Sequence, residues 1–512
     1  MTIESNGAIA GTSCLRILFL FSDTGGGHRA SAEALARQFE TLFPGSTYRL
    51  LDVISQENLW PNTLYPITEA YKFLSANPQE WKFLYDITNS PASEIVIDKA
   101  SKLFQEKTFR RIIQQIDPDV VISVHPLFTS VPALACEKLS IKYGRRIPMF
   151  TVITDLATCH WGWFGGAKER LIERLYVGSE QIATLAITRG KAPEERISIV
   201  GLPIRSDFAV LSRALGDRTS QSGKVYQSQM KRKLNLNDNT GIKTILVMGG
   251  GEGVGSLPKI IDSLYRHMRR RGVNSTLVVV CGRNEKLRKR LARIDWSDVA
   301  NSTWSSSCIE EQLLTDMEER QDVEATEGTE TTPSTLNQFS IVRTFSSVAG
   351  KLYSRDIRSI ITTSTDKTEE EDCADLLSNS EEEQGFEVEL GEVNVEPLGF
   401  VNNIAEYMVV ADVLVSKAGP GTIAEAASLG LPVMLTSFLP GQEEGNVDFV
   451  VGGGFGDFCD DPNQMSVKVS DWLLDERKWS ELSRCAQRKG NPDAAANIAG
   501  DIGRRVLAMK ES

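Results

Sequence analysis

Apolar residues along this chain gather in short β-branched runs at residues 15–21, 120–124, 149–154, 175–177, 245–248, 277–281 and 413–416. Between them, apolar positions recur at helical spacing. Buried strands alternating with amphipathic helices predict an α/β fold with parallel sheets. Such runs occur in both halves, separated by "GLPIRSDF" at 201–208 and a polar stretch at 211–240. The expected organisation is therefore two Rossmann-like domains, 1–205 and 206–512, facing a central cleft. Open sheets of this kind bind ligands beyond the carboxyl ends of their strands.

Charge changes this picture in one place. The net charge of -12 is concentrated at residues 309–390, where 21 Asp or Glu meet 6 Lys or Arg, a balance of -15 that leaves +3 for the remainder. This segment, with "EATEGTETTPST" and "TEEEDCADLLSNSEEEQ", is polar and poor in aromatic residues. It is expected to be an acidic, largely disordered insert within the C-terminal domain. No run reaches the roughly 18 apolar residues of a membrane span, so lipid contact is expected to be peripheral. The first residues carry no clear targeting peptide. Eight cysteines without CxxC spacing suit a reducing compartment.

Three glycine-rich turns follow candidate strands: Gly25 to Gly27 in "SDTGGGHRAS", "MGGGEGVGS" at 248–256, and "SKAGPGTIAEA" at 416–426. Each permits close backbone approach, and a helix starting just after aims N–H groups at an anion. Three in one chain favour a phosphate-bearing ligand. None fits the GxxxxGK[ST] phosphate loop or a dinucleotide fingerprint, so kinase and dehydrogenase chemistry are not expected. Thr422 and Glu425 have capping-box spacing, which leaves two readings open: Glu425 caps its helix, or it accepts hydrogen bonds from ribose hydroxyls. Gln442, Glu443 and Asn446, in "LPGQEEGNVDF", are candidates for sugar hydroxyls or an ordinary polar loop. His28 opens the helix after the first turn, where a helix N-terminus disfavours the imidazolium. Spacing alone leaves it as a cap, a phosphate ligand or a base. No convincing carboxylate pair suggests a metal, so charge on a leaving group would be met by backbone N–H groups.

The segments "SDTGGGHRASAEAL", "PDVVISVHPL", "VITDLATCHWGWF", "CGRNEKL", "GFVNNIAEYMVVADVLVSKAGPGTIAEAASLGLPVML" and "PGQEEGNVDFVV" run in order across about four fifths of the chain. Together they resemble the monogalactosyldiacylglycerol synthases, the galactolipid-making branch of glycosyltransferase family 28. The insert lies outside the resemblance. The resemblance implies a GT-B fold with an N-terminal acceptor domain and a C-terminal donor domain. It implies inverting transfer of galactose from UDP-galactose to 1,2-diacylglycerol without an essential metal or cofactor.

It also implies roles by position. Gly250, Gly251 and Gly253, with Gly419, Pro420, Gly421 and Thr422, would face the diphosphate and Glu425 the ribose. The Val401 backbone would meet uracil. Gln442 and Glu443 match the sugar-contacting glutamines of a related bacterial lipid-intermediate N-acetylglucosaminyltransferase, the second being glutamate here. His28 resembles the proposed base, with Gly27 and its neighbours admitting the acceptor. Asp155 would orient a catalytic group or close a strand turn. His125 and His160 are expected as hydrogen-bonded structural histidines, and His267 on a surface helix.

A lipid acceptor requires a membrane-facing surface, expected at residues 57–86 and at the "HWGWFGG" loop with Trp161, Trp163 and Phe164. Anionic lipids are compatible partners; nucleic acid is not expected. The resemblance implies peripheral association with a plastid (chloroplast) envelope membrane. Alternatives from other classes are a UDP-sugar 2-epimerase, a transferase acting on another lipid acceptor, and a non-catalytic nucleotide-sugar or lipid sensor.

Overall fold

The interior strands are those whose side chains find cover on both faces. A computed structural model describes residues 14–23, 26–54, 77–164, 170–249, 257–296 and 390–511. Among these, two six-stranded sheets are built entirely from parallel neighbours. The first contains β1 (Arg16–Phe21), β2 (Thr47–Asp52), β3 (Val120–Ser123), β4 (Met149–Val152), β5 (Ile172–Val177) and β6 (Ile197–Ile199), in the order β2-β1-β3-β4-β5-β6. The second contains β7 (Lys243–Met248), β8 (Ser275–Val280), β9 (Val393–Leu398), β10 (Val413–Lys417), β11 (Val433–Ser437) and β12 (Gly456–Phe458), in the order β12-β11-β10-β7-β8-β9.

Strand order decides where a ligand can enter. In each sheet the chain winds one way and then reverses, so that two neighbouring strands send their following connections to opposite faces. A crevice opens at that point. The reversal lies between β1 and β3 in the first sheet and between β7 and β10 in the second. The turn opening on Gly27 therefore sits beside the loop containing His125, and the turn after Met248 beside that after Lys417.

The helices that bear on these turns are α1 (Gly27–Leu42), α2 (Pro78–Thr88), α3 (Pro91–Ile116), α4 (Ser206–Leu215), α5 (Pro420–Ser428), α6 (Glu444–Gly452) and α7 (Ala494–Glu511). Although α7 follows the second sheet in sequence, its Ala495, Ile498, Ala499, Ile502 and Val506 share a buried cluster with Ile17 and Phe19 of the first and Phe39 of α1. The Tyr176 hydroxyl donates to Asp501 at 2.7 Å, and Lys510 pairs with Asp119 at 3.1 Å. The acidic insert lies outside the described residues apart from Leu390, which is exposed. No helix among the described residues is long and apolar enough to cross a membrane.

Candidate active site

At the first reversal point, Gly26 adopts φ 77°, the left-handed conformation that lets β1 turn into α1 within a few residues. Among the described residues no side chain caps α1, which leaves its first N–H groups without a side-chain acceptor there. His28 lies on this first turn, half-buried, with Nδ1 2.9 Å from the Thr154 hydroxyl beyond β4. Its ring meets that of His125 edge-on at 4.6 Å and lies 6.0 Å from Trp163. Burial pushes the His28 pKa down to about 4, partly offset by a hydrogen bond to the Val124 backbone, so the imidazole is neutral at pH 7.

The other two strand-end histidines hold their own loops. His125 accepts the Leu127 N–H at Nδ1 (3.3 Å) and stacks on Phe128. His160 accepts the Gly162 N–H at Nδ1 (3.0 Å), and its Nε2 is 3.3 Å from the Thr88 hydroxyl. Burial holds both below the usual histidine range. His267 falls on the helix Leu257–Arg270, as expected.

Asp155 is buried, and its Oδ2 accepts the indole N–H of Trp163 at 2.5 Å. Burial, reinforced by the charge of Glu443 and opposed by that hydrogen bond, pushes the carboxyl up to about 7. This corrects the placing of Trp163 and Phe164 on a membrane face; Gly165 and Gly166 of that loop, and residues 57–76 of the other expected surface, lie outside the described residues. Trp163 and Phe164 have no exposed surface, because Asp155 satisfies the one polar atom of the indole and the rings join the first sheet's core. Trp161 is half-buried, with the Arg189 guanidinium 5.0 Å from its ring.

On the second sheet, β10 delivers Lys417 and Gly419 to the start of α5. The capping box does not form: α5 has no side-chain cap. Glu425 instead takes a two-pronged hydrogen bond from Arg205, Nε to Oε1 and Nη2 to Oε2, each 2.8 Å. Glu443 is buried, its Oε1 paired with Lys417 and its Oε2 accepting the Leu439 N–H at 3.0 Å. Asn446, also buried, donates to the Ala418 carbonyl at 2.9 Å, while its Oδ1 has no partner among the described residues. Gly419, Pro420, Gly421, Thr422, Glu425, Glu443 and Asn446 are thus gathered around the carboxyl end of β10. Val401 is half-buried against the same core, in the loop after β9. Gly250, Gly251 and Gly253 lie outside the described residues.

The two lobes meet beside this cluster. Thr158 donates to the Gln442 carbonyl at 2.7 Å. A Cβ on Gly445 would lie 2.7 Å from the Thr158 methyl, and one on Gly441, whose φ is 79°, 2.6 Å from the Tyr85 ring. The loop after β4, carrying Asp155, therefore abuts the loop after β11, carrying Glu443. Among the described residues, no group of three His, Cys, Asp or Glu could hold a metal ion.

Residues 28–204 match the profile of monogalactosyldiacylglycerol (MGDG) synthase, and residues 339–448 that of the glycosyltransferase family 28 C-terminal domain. The monogalactosyldiacylglycerol synthase of Spinacia oleracea, described as chloroplastic, is 28% identical over 505 residues, 97% of this chain and 73% of that protein. Monogalactosyldiacylglycerol synthase 1 of Arabidopsis thaliana, also chloroplastic, is 28% identical over 494 residues, 95% of this chain and 70% of its own length. By these matches the chain is similar to the monogalactosyldiacylglycerol synthases. It is a glycosyltransferase. The crystal structure of Acinetobacter baumannii MurG superposes with a TM-score of 0.50 at 13% identity, covering 96% of this chain and 99% of that one, and shares the GT-B fold.

Three residues that the structure places at the site were not singled out from sequence. Thr154 meets His28, Lys417 meets Glu443, and Arg205 meets Glu425. Lys417 carried a signal: a lysine ending a buried strand, two residues before a Gly-Pro-Gly helix start, stands at an anion's edge. Arg205 carried only its place in the inter-lobe segment.

Proposed function

We propose that this chain transfers galactose from UDP-galactose to the free hydroxyl of 1,2-diacylglycerol with inversion, forming a β-galactolipid and UDP. The observation that supports it most is the neutral His28 imidazole on an uncapped helix start, in the lobe facing the Lys417–Glu443–Asn446 cluster. Inversion requires a base on one face of the sugar and the leaving diphosphate on the other. His28 takes the acceptor hydroxyl's proton as the new C1–O bond forms and the bond from C1 to the diphosphate oxygen breaks. The departing negative charge is met by N–H groups at the start of α5 and by the glycine turn after β7. Glu425 receives the ribose, the Val401 backbone the uracil, and Gln442 and Glu443 the sugar hydroxyls. Asp155 braces the loop beside the base.

The acceptor arrives from a bilayer. Phe83 on α2, and Leu103 and Phe104 on α3, are 62%, 77% and 61% exposed, which suits peripheral contact with a lipid surface. The reading places the chain at a plastid envelope membrane, with anionic lipids as compatible neighbours.

The test is incubation with radiolabelled UDP-galactose, with and without competing UDP-glucose, and vesicles containing dioleoylglycerol. Label in the organic phase as a β-anomer is expected. Free sugar would mean an epimerase, and tight UDP binding without turnover a sensor. His28→Ala should lower kcat by about 10²- to 10⁴-fold, the usual contribution of a general base, with UDP affinity unchanged. Equal loss of both would remove His28 from the role.

A further inference from the structure

The Arg205–Glu425 contact joins residues 220 positions apart, one in the segment between the lobes and one on the donor-side helix. Arg205 immediately precedes α4, and its guanidinium lies 5.1 Å from the Phe208 ring. Two residues earlier, the Pro203 carbonyl accepts the Ser31 hydroxyl of α1 at 3.2 Å, so the segment is anchored to the first lobe as well. The Glu425 side chain is 10% exposed and the Arg205 side chain 36%. Burial alone pushes the Glu425 carboxyl up, and Arg205 is what opposes that shift.

A carboxylate has about four acceptor sites, two on each oxygen. The guanidinium fork occupies one on each oxygen and fixes the carboxylate plane. The acceptor left on each oxygen points to the flank of the carboxylate, away from the other, and suits a single ribose hydroxyl. We infer that Arg205 is a positioning residue for the nucleotide: it fixes Glu425 so that a flanking lone pair of the carboxylate accepts from a ribose hydroxyl. This rests on the reading that Glu425 faces the ribose. It assigns Arg205 no contact with the reacting atoms.

The experiment compares binding of UDP and 2′,3′-dideoxy-UDP to the full chain by calorimetry, together with KM and kcat for UDP-galactose. The unaltered protein is expected to prefer UDP by about tenfold or more, the selectivity of a site built to hydrogen-bond hydroxyls. In Arg205→Met that preference should fall to within about threefold, with affinity for the dideoxy nucleotide nearly unchanged; KM should rise and kcat change little. Arg205→Lys keeps the charge without the fork, so an intermediate preference is expected. Combining Arg205→Met with Glu425→Gln should cost the preference no more than Glu425→Gln alone.

Equal weakening of both nucleotides in Arg205→Met would make the residue structural only and overturn the inference, as would retention of the full preference. Should Arg205→Met fail to fold by thermal unfolding, a full preference in Arg205→Lys would overturn it instead. If Glu425→Gln itself keeps the preference, the ribose reading falls and this inference with it. Loss in Glu425→Gln but not in Arg205→Met would leave the ribose reading standing and remove Arg205 alone.

Discussion

Asp155 makes a prediction that can be worked through in free energy. Its carboxyl titrates at about 7 in the folded chain against 3.8 for the unperturbed group. The folded pKa is the higher one, so the folded state holds the proton more tightly. The associated stability is fully present below about pH 4 and is lost as pH rises through 7. At about 1.4 kcal/mol per pKa unit, the whole span is worth about 4 kcal/mol, of which about 2.5 falls between pH 5 and pH 8. Asp155→Asn removes the titration while keeping a carbonyl oxygen for the Trp163 N–H. Urea unfolding of both proteins at pH 5 and pH 8 gives the comparison, since other titrating groups cancel between them. The unaltered protein should lose about 2.5 kcal/mol more than the variant over this interval. Trp163→Phe removes the hydrogen bond that opposes the upward shift, so its extra loss should extend to higher pH. Parallel curves for the unaltered protein and Asp155→Asn would refute the reasoning.

Two further outcomes test the site's surroundings. Gly441→Ala demands a left-handed alanine and a Cβ 2.6 Å from the Tyr85 ring, so it should lower the unfolding temperature and displace the loop bearing Gln442 and Glu443; calorimetry and kcat/KM check both, and an unchanged unfolding temperature would count against the packing described. Replacing Leu103 and Phe104 together by Asp should abolish flotation with diacylglycerol-containing vesicles while leaving UDP affinity intact, and retained flotation would move the lipid-facing surface elsewhere.

All the interior strands but β11 were readable because parallel strands buried on both faces become continuous apolar runs. The outer ones were not. β2, TYRLLD, begins with three exposed residues, β12 is only GDF, and β9 carries Pro397, which an edge strand tolerates on its unpaired side. At the site, the glycine turns and His28 could be singled out because they are local features of strand ends. Their partners were silent, since Arg205 reaches Glu425 and Thr154 reaches His28 only through the tertiary fold. Trp163 misled for a related reason: an indole between glycines reads as surface until the buried acceptor that matches its N–H is known.

The return of α7 to the first sheet makes the two lobes inseparable as pieces of chain. A protein cut after Asp493 would bare Ile17, Phe19 and Phe39 along the flank that α7 covers, and the helix carrying His28 would lose its outer support. Anyone splicing this donor half onto another acceptor half must therefore leave the last eighteen-residue helix with the first lobe, not with the second.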